Sequence, residues 1–192
     1  MQTERQIQII EASLELIAHK GIQGFTIKNL SKEIGISEPA IYRHFDSKTE
    51  ILLTILNNFK EMASFLGGIM DSNQGTAFEK IDFMFSRIID IFMDTPSFIS
   101  VIFSEELFRN EQVLQDKVVE ILDMNEHTIE NIIQKGQNSQ EIRTDIDSKT
   151  LALIVMGSLR FSIKVWELKG VSQNLKEEGD KLIGNLQLIL TK

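Results

Sequence analysis

Thr26-Ile27-Lys28-Asn29-Leu30-Ser31-Lys32-Glu33-Ile34-Gly35-Ile36-Ser37-Glu38-Pro39-Ala40-Ile41-Tyr42-Arg43-His44-Phe45 spells two short helices with a glycine between them. Thr26 is placed to cap the first, whose apolar side is Ile27, Leu30 and Ile34. Gly35 supplies its stop. Ser37 can cap the second, with Pro39 in the first turn, where a missing N–H is tolerated. Ile41 and Phe45 then point back at the first helix. Two short helices joined by a turn containing glycine are the helix-turn-helix layout.

The surrounding sequence is helical throughout. Upstream, Ile7, Ile10, Leu14 and Ile17 share one face of a helix from about Thr3 to Lys20, and Gly21 supplies a stop. Downstream, Ser47-Lys48-Thr49-Glu50 is a capping box that opens a long helix with the stripe Ile51, Ile55, Phe59, Met62 and Leu66. Gly67, Gly68 and residues 71–75 are read as its end. Further helices are expected over about 76–94, broken at Pro96, then 97–109, 111–135, 147–168 and 174–191, with a polar loop at 136–145. No strand pattern or repeat interrupts them. The fold class is all-α, about nine helices, with a head at residues 1–47 and a body at 48–192.

Composition narrows the function. The chain has no cysteine, which excludes disulfides and fits a reducing, cytoplasmic setting. No secretory signal is visible at the start, and Arg160 and Lys164 interrupt the most apolar stretch, so no membrane span is expected, since one needs roughly 20 mostly apolar residues. Between Met1 and Lys48, the basic residues Arg5, Lys20, Lys28, Lys32, Arg43 and Lys48 are matched by Glu4, Glu11, Glu15, Glu33, Glu38 and Asp46. The net charge of −8 is therefore carried entirely after residue 48, and the head can approach a polyanion that the remainder would repel. Catalysis is not expected. The three histidines are scattered, a metal site would need carboxylates, and no phosphate-binding glycine loop or G-x-S-x-G elbow occurs.

In a helix-turn-helix the second helix enters the major groove while flanking groups hold phosphates. The reader here is Glu38 to Phe45, with Glu38, Ala40, Tyr42, Arg43 and His44 on its exposed side. Together they offer a carboxylate for cytosine, a methyl for thymine and three donors. Residues 26–45, followed by Ser47, Lys48 and Leu52, resemble the signature of the TetR/AcrR regulator family, above all in the Tyr-x-His-Phe ending with lysine three residues on. A weaker similarity covers Ile142-Arg143-Thr144-Asp145-Ile146-Asp147 with Ala152 and Gly157. Ser31, Ile34 and Gln140 depart from the family's usual alanine, small residue and glycine.

The resemblance implies a homodimer on double-stranded DNA, without a cofactor. Thr26, Ser37, Tyr42 and Lys48 fall where the family holds phosphates, and Lys28, Glu38, Ala40 and His44 where it faces base edges. Arg5 stands where an N-terminal arm would reach the duplex. Tyr42 and His44 also admit a plain surface reading, Glu38 can simply favour its helix N-terminus, and Ser37 is a cap in either case. The expected function is a ligand-responsive repressor on a pseudo-palindromic operator. The alternative is a protein- or lipid-interaction module with a vestigial head.

In the body, soft and aromatic side chains suggest an apolar effector, with Met62, Phe65, Met84, Phe92, Phe103, Phe108, Met124 and Trp166 as candidate pocket walls. The last two helices are apolar on more than one side. Leu151, Val155, Leu159, Ile163, Leu182, Leu186 and Ile189 are the candidate dimer interface.

Overall fold

The computed structural model describes residues 2–72, 75–104, 111–170 and 174–191. Among them are nine helices and no strand: α1 (Glu4–Gly24), α2 (Ile27–Ile34), α3 (Glu38–Tyr42), α4 (Lys48–Ser72), α5 (Ala77–Asp94), α6 (Ser97–Ile102), α7 (Gln112–Asn138), α8 (Ser148–Leu168) and α9 (Leu175–Leu190). They divide into two compact units, Met1–Glu61 with Thr95–Glu120, and Met62–Asp94 with Ile121–Lys192. The first unit thus takes in α4 as far as Glu61, and α6 as well.

In the first unit, α1 packs on α2 and on α6. Thr3 and Gln6 form a reciprocal capping box at the start of α1, and the backbone kinks at Gly21, where φ is +65°. Ile9, Leu16, Ile17, Phe25, Leu30 and Ile41 make a fully enclosed core. The rings of Phe59 on α4 and Phe98 on α6 lie 6.3 Å apart at 48°, a favourable tilted arrangement. Glu120 on α7 pairs with Lys117 and with Lys60 of α4. Hydrogen bonds from those two ammonium groups hold its carboxyl down at about 2.

In the second unit, α9 packs against both α5 and α8. The approach to α5 is so close at Gly179 that a Cβ there would collide with Ile89. Asp147 caps α8 as its sequence suggests, accepting from Thr150 N at 2.9 Å. Thr76 and Glu79 form a further box at the start of α5, with Thr76 N donating to Glu79 at 2.7 Å and Glu79 N to Thr76 Oγ1 at 3.2 Å. Arg143 grips Asp145 and donates from its backbone and its guanidinium to the carbonyls of Leu190 and Ile189. A cation is thereby placed at the C-terminal end of α9, where the helix dipole favours it. Gln137 strings the same loop together through the carbonyls of Arg143 and Ile146, both at 2.8 Å.

Three expected boundaries move. Gly67 and Gly68 do not end α4, which continues to Ser72. Glycine in a helix interior costs only about 1 kcal/mol relative to alanine, and Gly67 lies in ordinary contact distance of Thr128 of α7. Helix α7 runs three residues past Lys135, so the polar loop begins at Ser139. Helix α6 ends at Ile102 with Phe103 as its C-cap, short of the expected 109, and residues 105–110 lie outside the described set.

Gln140 is the one non-glycine residue with positive φ among those described, at +64°. It keeps the left-handed turn that a glycine would adopt freely, and its side chain is exposed. The left-handed region costs an L-residue about 1–2 kcal/mol, partly offset by glycine's greater entropy when unfolded. Gln140→Gly is expected to raise the midpoint of thermal unfolding by about 1–4 °C, measured by calorimetry; a lowered midpoint contradicts the strain.

Candidate nucleic-acid interface

Helix α2 is short and ends sharply. Thr26 Oγ1 accepts from Asn29 N at 3.1 Å, and Gly35 turns the chain with φ +76° while its N–H closes on Ser31 O. Ser31 itself is buried, and its hydroxyl is satisfied by Lys28 O at 2.9 Å. A serine in place of the family's alanine is therefore accommodated without an orphaned polar group. Asn29 reaches back to Gly24 O at 2.9 Å and fixes the corner between α1 and α2.

Helix α3 is shorter than its sequence suggests. It covers Glu38–Tyr42, with Arg43 as C-cap, so Arg43 to Phe45 form the turn that leads to α4. A five-residue helix has no stability of its own. It is held by Ile41, 0% exposed, and by Phe45, 3% exposed. The turn is braced from three directions: Gln6 of α1 donates to His44 O at 3.3 Å, Glu50 accepts from Asp46 N, and Ser47 Oγ accepts from Glu50 N at 3.1 Å. The expected box at Ser47–Glu50 forms, with the glutamate bonding one residue earlier than the usual pattern.

With Ile41 and Phe45 turned inward, the remaining side chains face solvent. Thr26, Lys28, Ser37, Glu38, Tyr42 and Arg43 are exposed, while Ala40, His44 and Lys48 are half-buried. Tyr42 is 48% exposed despite being the most apolar of them. Ser37 stands at the N-cap of α3 without a side-chain cap bond, so its hydroxyl is available to another partner. Among the described residues no carboxylate pairs with Lys28, Lys32, Arg43 or Lys48. Unneutralised cations beside exposed donors suit a phosphate backbone, with neighbouring side chains left to meet base edges. Arg5, by contrast, lies inside α1 and bonds Gln8 at 2.6 Å, so it does not sit on an extended arm.

Residues 9–55 match the family model described as bacterial regulatory proteins, tetR family, and residues 59–189 match that of the YsiA-like protein, C-terminal region. The chain belongs to the TetR family. A fatty acid metabolism regulator protein of Bacillus subtilis is 24% identical over 174 residues, covering 89% of this chain and 88% of the relative. The crystal structure of the Bacillus subtilis transcriptional regulator FadR in complex with stearoyl-CoA superposes with a TM-score of 0.80 at 21% identity, covering 94% of this chain and 96% of that one. The ketosteroid transcriptional regulator KstR2 of Mycobacterium tuberculosis does so with a TM-score of 0.85 at 15% identity, covering 100% and 97%. As a TetR-family member the chain is a DNA-binding transcriptional regulator with an N-terminal helix-turn-helix and a helical C-terminal domain. Among the described residues no helix is long and apolar enough to cross a membrane.

The remaining candidate residues are spread over both units. Leu151, Val155, Leu159, Ile163 and Leu186 are at most 4% exposed within their own unit and cannot also meet a partner. Leu182 is half-buried, and only Ile189, 41% exposed, stands on the surface. On α8 and α9 the outward apolar side chains are instead Leu153, Ile154, Phe161, Leu168 and Leu188. Of the pocket candidates, Met84, Phe92 and Trp166 are buried in the second unit, Met62 and Met124 are half-buried there, and Phe103 is half-buried in the first unit. Phe65 is 70% exposed because it stands about 100° round α4 from the buried Leu66. Phe108 lies outside the described residues. Trp166 borders a cleft of about 120 Å³ with Phe161, Val165 and Leu175, well below the roughly 300 Å³ at which ligand sites begin.

Lys48→Ala is expected to weaken binding to a cognate duplex at least about tenfold, the value of one charge-assisted hydrogen bond. It should also flatten the salt dependence by about one unit per half-site. Tyr42→Ala should weaken binding too, with the slope nearly unchanged. A titration in which both variants bind like wild type contradicts these contacts.

Proposed function

We propose that this TetR-family regulator is a cytoplasmic repressor that grips a pseudo-palindromic operator as a dimer and leaves it when a long-chain acyl-CoA occupies its body. The observation that carries the effector class is a coincidence of two likenesses. The Bacillus subtilis relative is a fatty acid metabolism regulator, and the FadR structure holds stearoyl-CoA, each matched over nearly the whole chain. The half-buried Met62 and Met124 of the second unit support an apolar occupant, since methionine side chains adapt to a flexible tail.

Helix α4 is one uninterrupted helix, with Lys48 in its first turn and Met62 onward in the second unit. A ligand that prefers one position of its distal turns shifts the position of Lys48, and with it the fit of two heads to one face of the duplex. Couplings of this kind are typically about 1–3 kcal/mol, or roughly 5–150-fold in affinity. The head comprises residues 1–47, with Thr26, Ser37, Tyr42 and Arg43 on phosphates, joined by Lys48 at the start of α4, and with Lys28, Glu38, Ala40 and His44 toward bases.

The dimer is built on the outward face of α8 and α9. Ile154, Gly157, Phe161 and Leu168 recur at spacings that keep them on one stripe of α8, and Phe161 and Leu168 are 71% and 74% exposed. Leu188 on α9 is 76% exposed. Contiguous apolar surface of this kind marks an interface, and a symmetric one serves both copies.

Two experiments follow. Long-chain acyl-CoA at about a hundredfold excess over its Kd should raise the unfolding midpoint by roughly 5–10 °C and lower operator affinity within the range above, while free CoA does neither. A shift produced by a sterol instead, or by none of these, overturns the acyl-CoA reading. Phe161→Asp should convert the dimer to monomer in sedimentation equilibrium, and a variant that stays dimeric removes this face from the interface.

A further inference from the structure

Lys48 Nζ lies 5.4 Å from the centroid of the Phe25 ring, inside the distance at which a cation is drawn to an aromatic face. Phe25 is 0% exposed and forms the corner between α1 and α2, immediately before the exposed Thr26 that caps α2. Lys48 is the first residue of α4, and among the described residues no carboxylate forms an ion pair with it. We infer that Phe25 is a positioning residue for DNA binding, holding the Lys48 ammonium ready for a phosphate through its ring face.

The choice of an aromatic ring as the brace has a physical consequence. A carboxylate partner would hold the ammonium equally well, but would neutralise it and repel the incoming phosphate. A ring face attracts through its quadrupole and leaves the full charge available. A free lysine also surrenders considerable rotamer freedom when it grips a phosphate, and a side chain already seated on a ring has surrendered much of it beforehand. Because Phe25 and Thr26 are adjacent, one dipeptide fixes two phosphate grips. The ring points inward to the start of α4, and the hydroxyl points outward at the start of α2. The buried ring cannot move without the corner, so the spacing between the two grips is rigid.

The inference rests on the reading of Lys48 as a phosphate contact, and the test separates the two. Phe25 is replaced by mono-, di- and trifluorophenylalanine, which keep its shape and weaken the quadrupole stepwise. Binding is measured to a duplex enriched from a random pool by the wild-type protein, across a range of salt. Affinity is expected to fall stepwise, by about two- to fivefold per half-site over the series. The salt slope should stay fixed, because the number of neutralised phosphates is unchanged. In a Lys48→Gln background the series should be flat, and Lys48→Arg, which also stacks on rings, should restore it. Phe25→Leu, which keeps an apolar side chain in the corner, should reproduce the loss only where Lys48 is present. A flat series in a protein whose affinity does depend on Lys48 overturns the role of Phe25 alone. A decline of the same size without Lys48 does so as well, since it marks a purely structural effect. If Lys48→Gln binds like wild type, the phosphate reading and this inference fall together.

Discussion

The burial of Ile41 and Phe45 beneath α3 is the constraint on which the head depends. Five residues cannot hold a helix in water, so α3 exists only because these two side chains are removed from solvent as it packs on α2. That same burial dictates what remains outside. Once positions 41 and 45 point inward, position 43 lies on the opposite side and position 42 to its flank, and Tyr42 and Arg43 are exposed there, with Glu38 exposed at the start of the helix. Hydrogen bonds from Gln6 and to Glu50 then hold the turn at His44 and Asp46, so the exposed edge is rigid before any duplex arrives. Binding of a preorganised edge spends little on ordering.

Much of this was legible in the chain. Thr26, Gly35 and Pro39 each have one strong local preference, and the three preferences agree on the same short-turn-short layout, which makes the head readable without coordinates. Asp147 as the cap of α8 was readable for the same reason. The braces were not. Gln6 reaches His44 across 38 positions, and Asn29 bonds a carbonyl five residues back; neither pattern has a signature in sequence, because glutamine and asparagine are equally at home on a solvated surface. The pairing of Lys48 with Phe25 was hidden likewise, since nothing in the spacing of those two residues says that α4 begins over the corner of α1 and α2.

The body shows a different limit. Helix α8 is apolar on more than one side, so periodicity alone cannot say which side meets the chain's own core. The regular stripe Leu151, Val155, Leu159 and Ile163 reads equally well as a seam for a partner, yet it is the core stripe, and the apolar side chains left exposed are Ile154, Phe161 and Leu168. Regular spacing is what a core demands, and a second apolar face shows up as the residues left over. Glycine sets a parallel limit. Gly67 and Gly68 signal a stop in isolation, but each costs a helix interior only about 1 kcal/mol, and α4 continues through both to Ser72. At Gln140 the reverse holds: the left-handed turn persists without the glycine because the flanking segment is tied down by Gln137 and Arg143.

Everything above requires two copies of a rigid head to read one face of B-form DNA, and selection of bound duplexes from a random pool puts this to the test. The expected product is an enriched motif of two inverted half-sites whose centres are separated by one helical turn, about 10 base pairs, or a multiple of it. A pool that emerges without an enriched motif, or with a single unpaired site, contradicts the claim.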